Sequence, residues 1–277
     1  MIGACTALAV PMYFMGDFES AQQHAMRGVR IWRSGSVQSA VEGIDAPIVT
    51  CLLYAGLAEW HLGEIASCRA TMKEAISLAK ELNDMHALAN AVVDSAQLAY
   101  YERNVSAVER LASEVIELAT RHNFAFWLAI GSILRGWARS ASGDTTEGIS
   151  WIEDGIREYR APGSKLGMPI WLAVKAEALH LADRTVEAFE AIKEAEKVVE
   201  ISEAQWWDAE LRSLRGVFLA AVGAEESQIE ASFSEAIRIA KEQKSISLEK
   251  RAEATYAEYR RQKASGSGGR GFRLPLC

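Results

Sequence analysis

Three basic residues, Arg135, Lys175 and Arg215, recur along the sequence at intervals of 40 residues, each just before a small residue in an apolar stretch. Arg139 and Arg212 fall on nearby turns of the same stripe. Guanidinium and ammonium groups bind anions through charge-assisted hydrogen bonds, so a ladder of five such residues would favour an acidic peptide or an anionic ligand. The alternative interpretation is that each residue pairs with a local glutamate at the surface, where an ion pair contributes under about 1 kcal/mol.

Trp206 and Trp207 are adjacent, so on a helix their side chains would point about 100° apart. Both then could not be equally buried against one neighbour. Core packing is the default for tryptophan at apolar positions, but tryptophan is also a favoured contact residue at interfaces. We therefore add Trp206 to the basic ladder as a residue expected at the edge of a partner-binding groove.

Residues of the types that perform catalysis or bind metals are scattered through the sequence. The histidines show no HExxH spacing, the four cysteines form no CxxC pair, and no GxSxG motif is present. A catalytic or metal site needs several such side chains to converge. We therefore predict that the chain is not an enzyme and holds no metal or cofactor. The histidines are His24, His61, His86, His122 and His180.

Gly266, Gly268 and Gly271 match the GxGxxG spacing of dinucleotide-binding loops. That loop functions only between a strand and a helix that continues into further sheet, and only six residues follow Gly271. Residues 250–277 contain seven Lys and Arg against two Glu, in contrast to an otherwise acidic chain. The sequence therefore predicts a flexible basic C-terminal tail over residues 264–277.

The charge and hydropathy of the chain argue against several classes of partner. A formal charge of −7 disfavours general nucleic-acid binding, which requires a basic surface, so we expect no nucleic acid. No stretch approaches the roughly 18–20 apolar residues that span a bilayer, and residues 1–15 contain no basic segment typical of a signal peptide. We therefore expect a cytoplasmic protein without a membrane partner.

Small residues inside apolar stretches define an internal repeat of 40 residues. A second series follows each member of the first by 19 or 20 residues and is small in four cases of five. Helices that cross closely require small side chains where their backbones approach. The first series is Gly56, Ala96, Gly136, Ala176 and Gly216, and the second is Ala75, Val115, Gly155, Ala195 and Ala236.

This pattern predicts an all-α fold, a right-handed superhelical solenoid of antiparallel helix pairs of the tetratricopeptide-like type, with about 40 residues per repeat. Pro11 is expected to kink the first helix or to delay its start. An irregular helical bundle is the alternative, although five small residues in register disfavour it. The domain is predicted over residues 1–263, with helix pairs at about 1–32, 46–82, 84–122, 124–160, 165–200 and 203–243 and a closing helix at 245–263.

Three segments carry a resemblance to a known family: 133–138 (ILRGWA), 206–211 (WWDAEL) and 74–82 (EAISLAKEL). They resemble the C-terminal tetratricopeptide region of large bacterial regulators that combine a class III adenylate or guanylate cyclase domain, a signal-transduction ATPase and helical repeats. The resemblance extends over about residues 3–261. The sequence contains no Walker-type loop and no region for a cyclase site, so the resemblance implies only the repeat module, as a sensor or scaffold.

We therefore predict a non-catalytic scaffold for protein–protein interaction that serves as a signalling or regulatory module, with another protein or an acidic peptide as partner. The alternative is a ligand-sensing module of a cyclase/ATPase-type regulator that binds a small anionic metabolite. A homodimer through the terminal helix is a further expectation. Fold does not fix function, so this choice rests on the family resemblance.

Overall fold

The computed structural model describes residues 1–35 and 46–265, and within these ranges the 13 regular elements are all α-helices. Consecutive helices form six pairs, and α13 closes the array. The chain is thus an all-helical repeat solenoid, which confirms the predicted fold class. The helices are α1 (Ile2–Phe14), α2 (Phe18–Arg33), α3 (Pro47–His61), α4 (Ile65–Glu81), α5 (Met85–Tyr101), α6 (Val105–His122), α7 (Ala125–Ala141), α8 (Thr145–Arg160), α9 (Met168–Leu181), α10 (Thr185–Ser202), α11 (Asp208–Val222), α12 (Glu226–Glu242) and α13 (Ile246–Ala264).

Two features of the termini differ from the sequence-based expectations. α1 begins at Ile2 with Pro11 inside it, so the proline does not delay the helix start. α13 continues to Ala264, one residue into the segment expected to be a tail. The remainder of that segment, with its GxGxxG spacing, lies outside the described residues.

The small residues of the repeat lie where the two helices of a pair cross. A Cβ atom added at Gly136 of α7 would lie 2.6 Å from the backbone oxygen of Gly148 in α8. One added at Gly155 would lie 2.8 Å from the backbone oxygen of Ala129. Because these contacts are to backbone, no side-chain movement can relieve them, and the register of the pair depends on glycine at both positions.

The turns inside the helix pairs share a left-handed residue at equivalent positions. Glycine occupies it in four pairs, at Gly16, Gly63, Gly143 and Gly223, where φ is positive. Arg103 occupies it in the third pair with φ of 57°. The left-handed region costs a residue with a Cβ about 1–2 kcal/mol, so an arginine in this turn requires a compensating interaction elsewhere.

The two ends of the array meet. At the end of α1, the carbonyl oxygen of Phe14 accepts a hydrogen bond from the backbone N–H of Trp206 at 3.1 Å. At the end of α3, Nδ1 of His61 lies 2.9 Å from Oγ of Ser245, the residue that precedes α13. These contacts join residues almost 200 positions apart in the sequence. Through them, α13 and the first helix of each pair are arranged in a closed ring.

Aromatic side chains fill the centre of this ring. Tyr13 packs edge-on against His61, with ring centroids 5.7 Å apart, and Tyr101 stacks on Trp207 at 4.5 Å. Trp206 lies 5.4 Å from Tyr13 and is only 2% exposed. The first pair, the second and third pairs and the segment before α11 therefore share one apolar core.

The expectation that Trp206 lies at the edge of a groove assumed that Trp206 and Trp207 are both helical. Both residues precede α11, which begins at Asp208. Their side chains are therefore not held 100° apart, as those of adjacent helical residues are. Both side chains are buried, and each indole N–H lacks a hydrogen-bond partner among the residues that the structure describes. Trp206 therefore acts as a core residue where the two ends of the array meet.

No helix in the described part of the chain is both long and apolar enough to cross a lipid bilayer. The cysteines Cys5, Cys51 and Cys68 are buried as free thiols, and Cys277 lies outside the described residues.

His61 makes the closure of the ring sensitive to acid. Its ring stacks on Phe18 with centroids 3.7 Å apart, and burial, assisted by the charge of Arg251, lowers its pKa well below the usual 6.5. The folded chain thus keeps His61 neutral, whereas the unfolded chain binds a proton below about pH 6.5. The stabilisation from neutral His61 is present above that pH and is lost as the pH falls below it, by at most about 1.4 kcal/mol per pH unit.

The free energy of unfolding is measured in urea at about pH 7.5 and at about pH 5.5, on either side of the usual histidine pKa. Between these two values we expect it to decrease in the unmodified chain by about 1 kcal/mol more than in His61→Gln. His24→Gln, at a partly exposed histidine of α2, is the control and should keep the full pH dependence. An equal pH dependence in all three proteins would contradict a neutral, buried His61.

Candidate partner-binding site

A buried carboxylate connects three of the first helices on the side that faces the centre of the ring, called here the inner face. Glu177 of α9 is 1% exposed. It accepts hydrogen bonds from Oη of Tyr100 at 2.6 Å and from Nε1 of Trp137 at 2.9 Å. Arg103 donates a further hydrogen bond to it and neutralises its charge. Helices α5, α7 and α9 are therefore held by a single carboxylate.

A second buried carboxylate extends this network to the closing helix. Glu210 of α11 is 3% exposed and accepts a hydrogen bond from Nη2 of Arg103 at 2.8 Å. Nη1 of Arg251 in α13 lies 3.2 Å from the same Glu210 oxygen, and Arg251 also donates to the backbone oxygen of Tyr101. Two guanidinium groups thus balance two carboxylates, as buried charges require.

Arg103 supplies the interaction that its left-handed turn requires. Glycine would relax the backbone, yet only a long cationic side chain from this turn reaches both Glu177 and Glu210. Removing one partner of a buried ion pair costs about 3–5 kcal/mol because the other charge remains buried. This exceeds the backbone strain of about 1–2 kcal/mol, so arginine is the more favourable residue here.

We expect Arg103→Gly to lower the free energy of unfolding by about 1–4 kcal/mol, the loss of the ion pairs minus the relief of strain. Urea unfolding followed by far-UV circular dichroism measures this loss.

Asn83→Gly is the matched control, because Asn83 also has a positive φ and takes no part in the network. Its stability should change by no more than about 0.5 kcal/mol. If the two variants were equally stable, the network would contribute nothing to the fold.

Beside this network a cleft of about 770 Å³, called here the inner cleft, opens between α11 and α13. Its apolar floor includes Trp60, Leu214 and Val217, and its walls carry serine, threonine and glutamine hydroxyl and amide groups together with several charges. A concave site with an apolar floor and a few polar groups is typical of ligand sites in proteins. The charged residues that line it are Glu102, Arg103, Glu210, Lys250, Arg251, Glu258 and Arg261.

The basic ladder predicted from the sequence lies elsewhere. Nε of Arg135 is 3.2 Å from Oε1 of Glu109 in α6, and Nζ of Lys175 is 2.8 Å from Oε1 of Glu153 in α8. Each basic residue thus pairs with the second helix of the preceding pair. Lys175 comes two residues before Glu177, whose side chain faces the centre of the ring. At about 100° per residue, the Lys175 side chain therefore points about 200° away from that of Glu177 on the helix.

The remaining ladder residues also have carboxylate partners. Arg215 and Arg212 both bind Glu196 of α10, at 2.9 and 3.0 Å, and Arg212 also binds Asp208 at 3.1 Å. Nε of Arg139 lies 3.7 Å from Oε2 of Glu147 in α8. None of the five basic residues lines the inner cleft, nor does Trp206. Their role in binding a partner stays a prediction.

Replacing Lys175 by Glu would place two carboxylates side by side, so we expect Lys175→Glu and Glu153→Lys each to lower stability by about 0.5–1 kcal/mol. The double variant restores an ion pair of opposite orientation and should recover at least half of the summed loss. Urea unfolding at low salt measures all three. Strictly additive effects would show that the two side chains do not interact.

The residues of the network and the cleft lie outside those predicted from the sequence. Arg103 carried a signal, since it replaces glycine in the turn series, and so did Glu177, since Leu57, Trp137 and Val217 occupy its position in other repeats. Lys250 and Arg251 carried only a general signal, as the first of the basic residues of 250–277, because α13 has no equivalent in the repeat. No three metal-ligating side chains of the described residues converge on a metal site.

Two solved structures share the fold of this chain. The Rap conjugation gene regulator of the plasmid pLS20, in complex with the Phr* peptide, has a TM-score of 0.65 at 9% sequence identity, covering 92% of this chain and 73% of that one. Bacillus thuringiensis PlcR, in complex with the peptide PapR7 and DNA, has a TM-score of 0.56 at 14% identity, covering 89% and 83%. These similarities support a tetratricopeptide-like helical repeat.

A curated relative is the uncharacterized protein R02095 of Rhizobium meliloti (strain 1021), which is 24% identical over 202 residues, 73% of this chain. The chain matches 20% of that protein, so it spans about a fifth of the relative's length. No family model matches the sequence.

Proposed function

We propose that this chain is a regulatory protein-interaction module that binds a peptide or an extended protein segment in its inner cleft. The cleft between α11 and α13 is the observation that carries this proposal. The Rap and PlcR structures support it, since both proteins share the fold and both are described in complex with peptides. The module would serve a larger signalling regulator of the cyclase/ATPase type that the sequence resembles.

The position of the cleft suits a regulatory role. Its walls come from α5, α11 and α13, and the Arg251 side chain on one wall also belongs to the contacts that close the ring. A segment bound there would contact both sides of the closure and would stabilise the closed arrangement by its binding energy. Binding would thereby change the conformation of the module, and domains attached to it could respond to that change.

A small anionic metabolite is the second candidate for the same cleft. The volume of about 770 Å³ falls within the range of about 300–1,000 Å³ typical of small-molecule sites. In that case the chain would be a ligand-sensing module of the same kind of regulator.

Photo-crosslinking in the source cells tests the proposal. A benzophenone-bearing phenylalanine replaces Ala254, which is exposed and lines the cleft. In a matched protein it replaces Ala257, an exposed alanine of the same helix outside the cleft. We expect a crosslinked peptide or protein from position 254, identified by mass spectrometry, and none of it from position 257.

Ala254→Trp, which fills the cleft, should reduce crosslinking from a benzophenone placed instead at Glu102, an exposed residue that lines the cleft after α5, by at least tenfold. Ala257→Trp should leave that crosslinking unchanged. Equal crosslinking from positions 254 and 257, or no protein product from either, would contradict a partner-binding cleft. A crosslinked small molecule would favour the sensing alternative.

A further inference from the structure

The charged side chains around the inner cleft leave one positive charge in excess, and this charge belongs to one residue. Most charged groups of the cleft have an internal partner. Oε1 of Glu102 lies 3.0 Å from Nη2 of Arg69, and Oε2 of Glu258 lies 2.6 Å from Nη2 of Arg261. These pairs at the rim contribute no net charge to the site.

The buried network beside the cleft is balanced as well. Arg103 and Arg251 face Glu177 and Glu210, so two cations meet two anions. One buried donor of this group is left over, because Nη1 of Arg251 has no aligned acceptor in the described part of the chain although it lies 3.2 Å from Glu210. A buried donor without an acceptor is unfavourable by about 1–3 kcal/mol. The Arg251 side chain is 19% exposed and lines the cleft, so a small rotation of its guanidinium group would turn this donor towards an acceptor in the cleft.

Lys250 carries the unbalanced charge. It lines the cleft next to Arg251, is exposed, and forms no ion pair with the described residues. A lysine ammonium beside an apolar floor and within a concave site attracts an anion more strongly than a lysine on an open surface does, since fewer waters compete for it.

From this arrangement, and resting on the proposed function, we infer that the ligand of the inner cleft is a peptide that presents a carboxylate to Lys250 and Arg251. An apolar side chain of the same peptide would lie on the floor at Trp60, Leu214 and Val217. The carboxylate can come from a peptide C-terminus or from an acidic side chain. Both offer two oxygens, as many as are needed to accept from Lys250 and Arg251 together.

The probe is a mixture of random octapeptides without Asp, Glu or Cys, synthesised in three matched sets. One set ends in a free carboxylate, one ends in an amide, and one ends in an amide but has Glu at a fixed central position. The purified chain is incubated with each set, and the retained peptide is quantified by mass spectrometry. We expect retention of at least one carboxylate-bearing set to exceed that of the plain amide set about tenfold, and the set retained identifies the source.

Two lysine variants locate the effect. Lys250→Gln should reduce the carboxylate preference about tenfold. Lys197→Gln removes the same charge from an exposed lysine of α10, outside the cleft, and should leave the preference unchanged. The preference should also weaken as salt is raised, since an ion pair at a solvent-accessible site is screened.

Three results would overturn the inference: equal retention of all sets, no retention of any set, or a carboxylate preference that survives Lys250→Gln. These failures are separable from failure of the proposed function. Crosslinking of a partner from position 254 combined with equal retention would leave a peptide-binding cleft that ignores carboxylates. Absence of crosslinking and of retention together would remove both.

Discussion

Two buried carboxylates, Glu177 and Glu210, set the constraint on which the rest of the inner face depends. A carboxylate without solvent is tolerated only if cations and hydrogen-bond donors surround it. Arg103 and Arg251 supply the cations, and Tyr100 and Trp137 supply donors. These groups lie on α7, on α13 and at the end of α5, so satisfying two charges fixes how helices far apart in sequence approach one another.

This constraint explains why the array closes rather than remaining an open groove. Arg251 belongs to the closing helix, and its contacts to Glu210 and to the backbone of Tyr101 hold α13 against the inner face. His61 and Ser245 add a second contact between the two ends. The aromatic core then occupies the centre of the ring, and the cleft between α11 and α13 remains as the accessible part of the inner face. A binding function and the stability of the closed ring therefore share residues.

The fold was largely predictable because it depends on local and periodic information. Gly136 and Gly155 lie at the predicted helix crossing, where backbone contacts exclude any side chain. The site was not predictable in the same way. Arg135, Lys175 and Arg215 recur in phase with the repeat, but periodicity alone does not reveal which side of a helix faces the centre. Each of these basic residues pairs with a glutamate on the second helix of the preceding pair. Glu177, two residues after Lys175, faces the centre of the ring instead.

By itself the sequence determined the helix pairs, their 40-residue period and the small residues at their crossings, because helical periodicity and close packing act between residues near one another in the chain. Only the tertiary structure decided that the ends meet, that Trp206 is buried and that Lys250, which has no ion pair among the described residues, lies beside a cleft. These features depend on how small rotations between successive pairs accumulate over the whole array. No local pattern encodes that sum, and it alone brings α13 to α3 and α5.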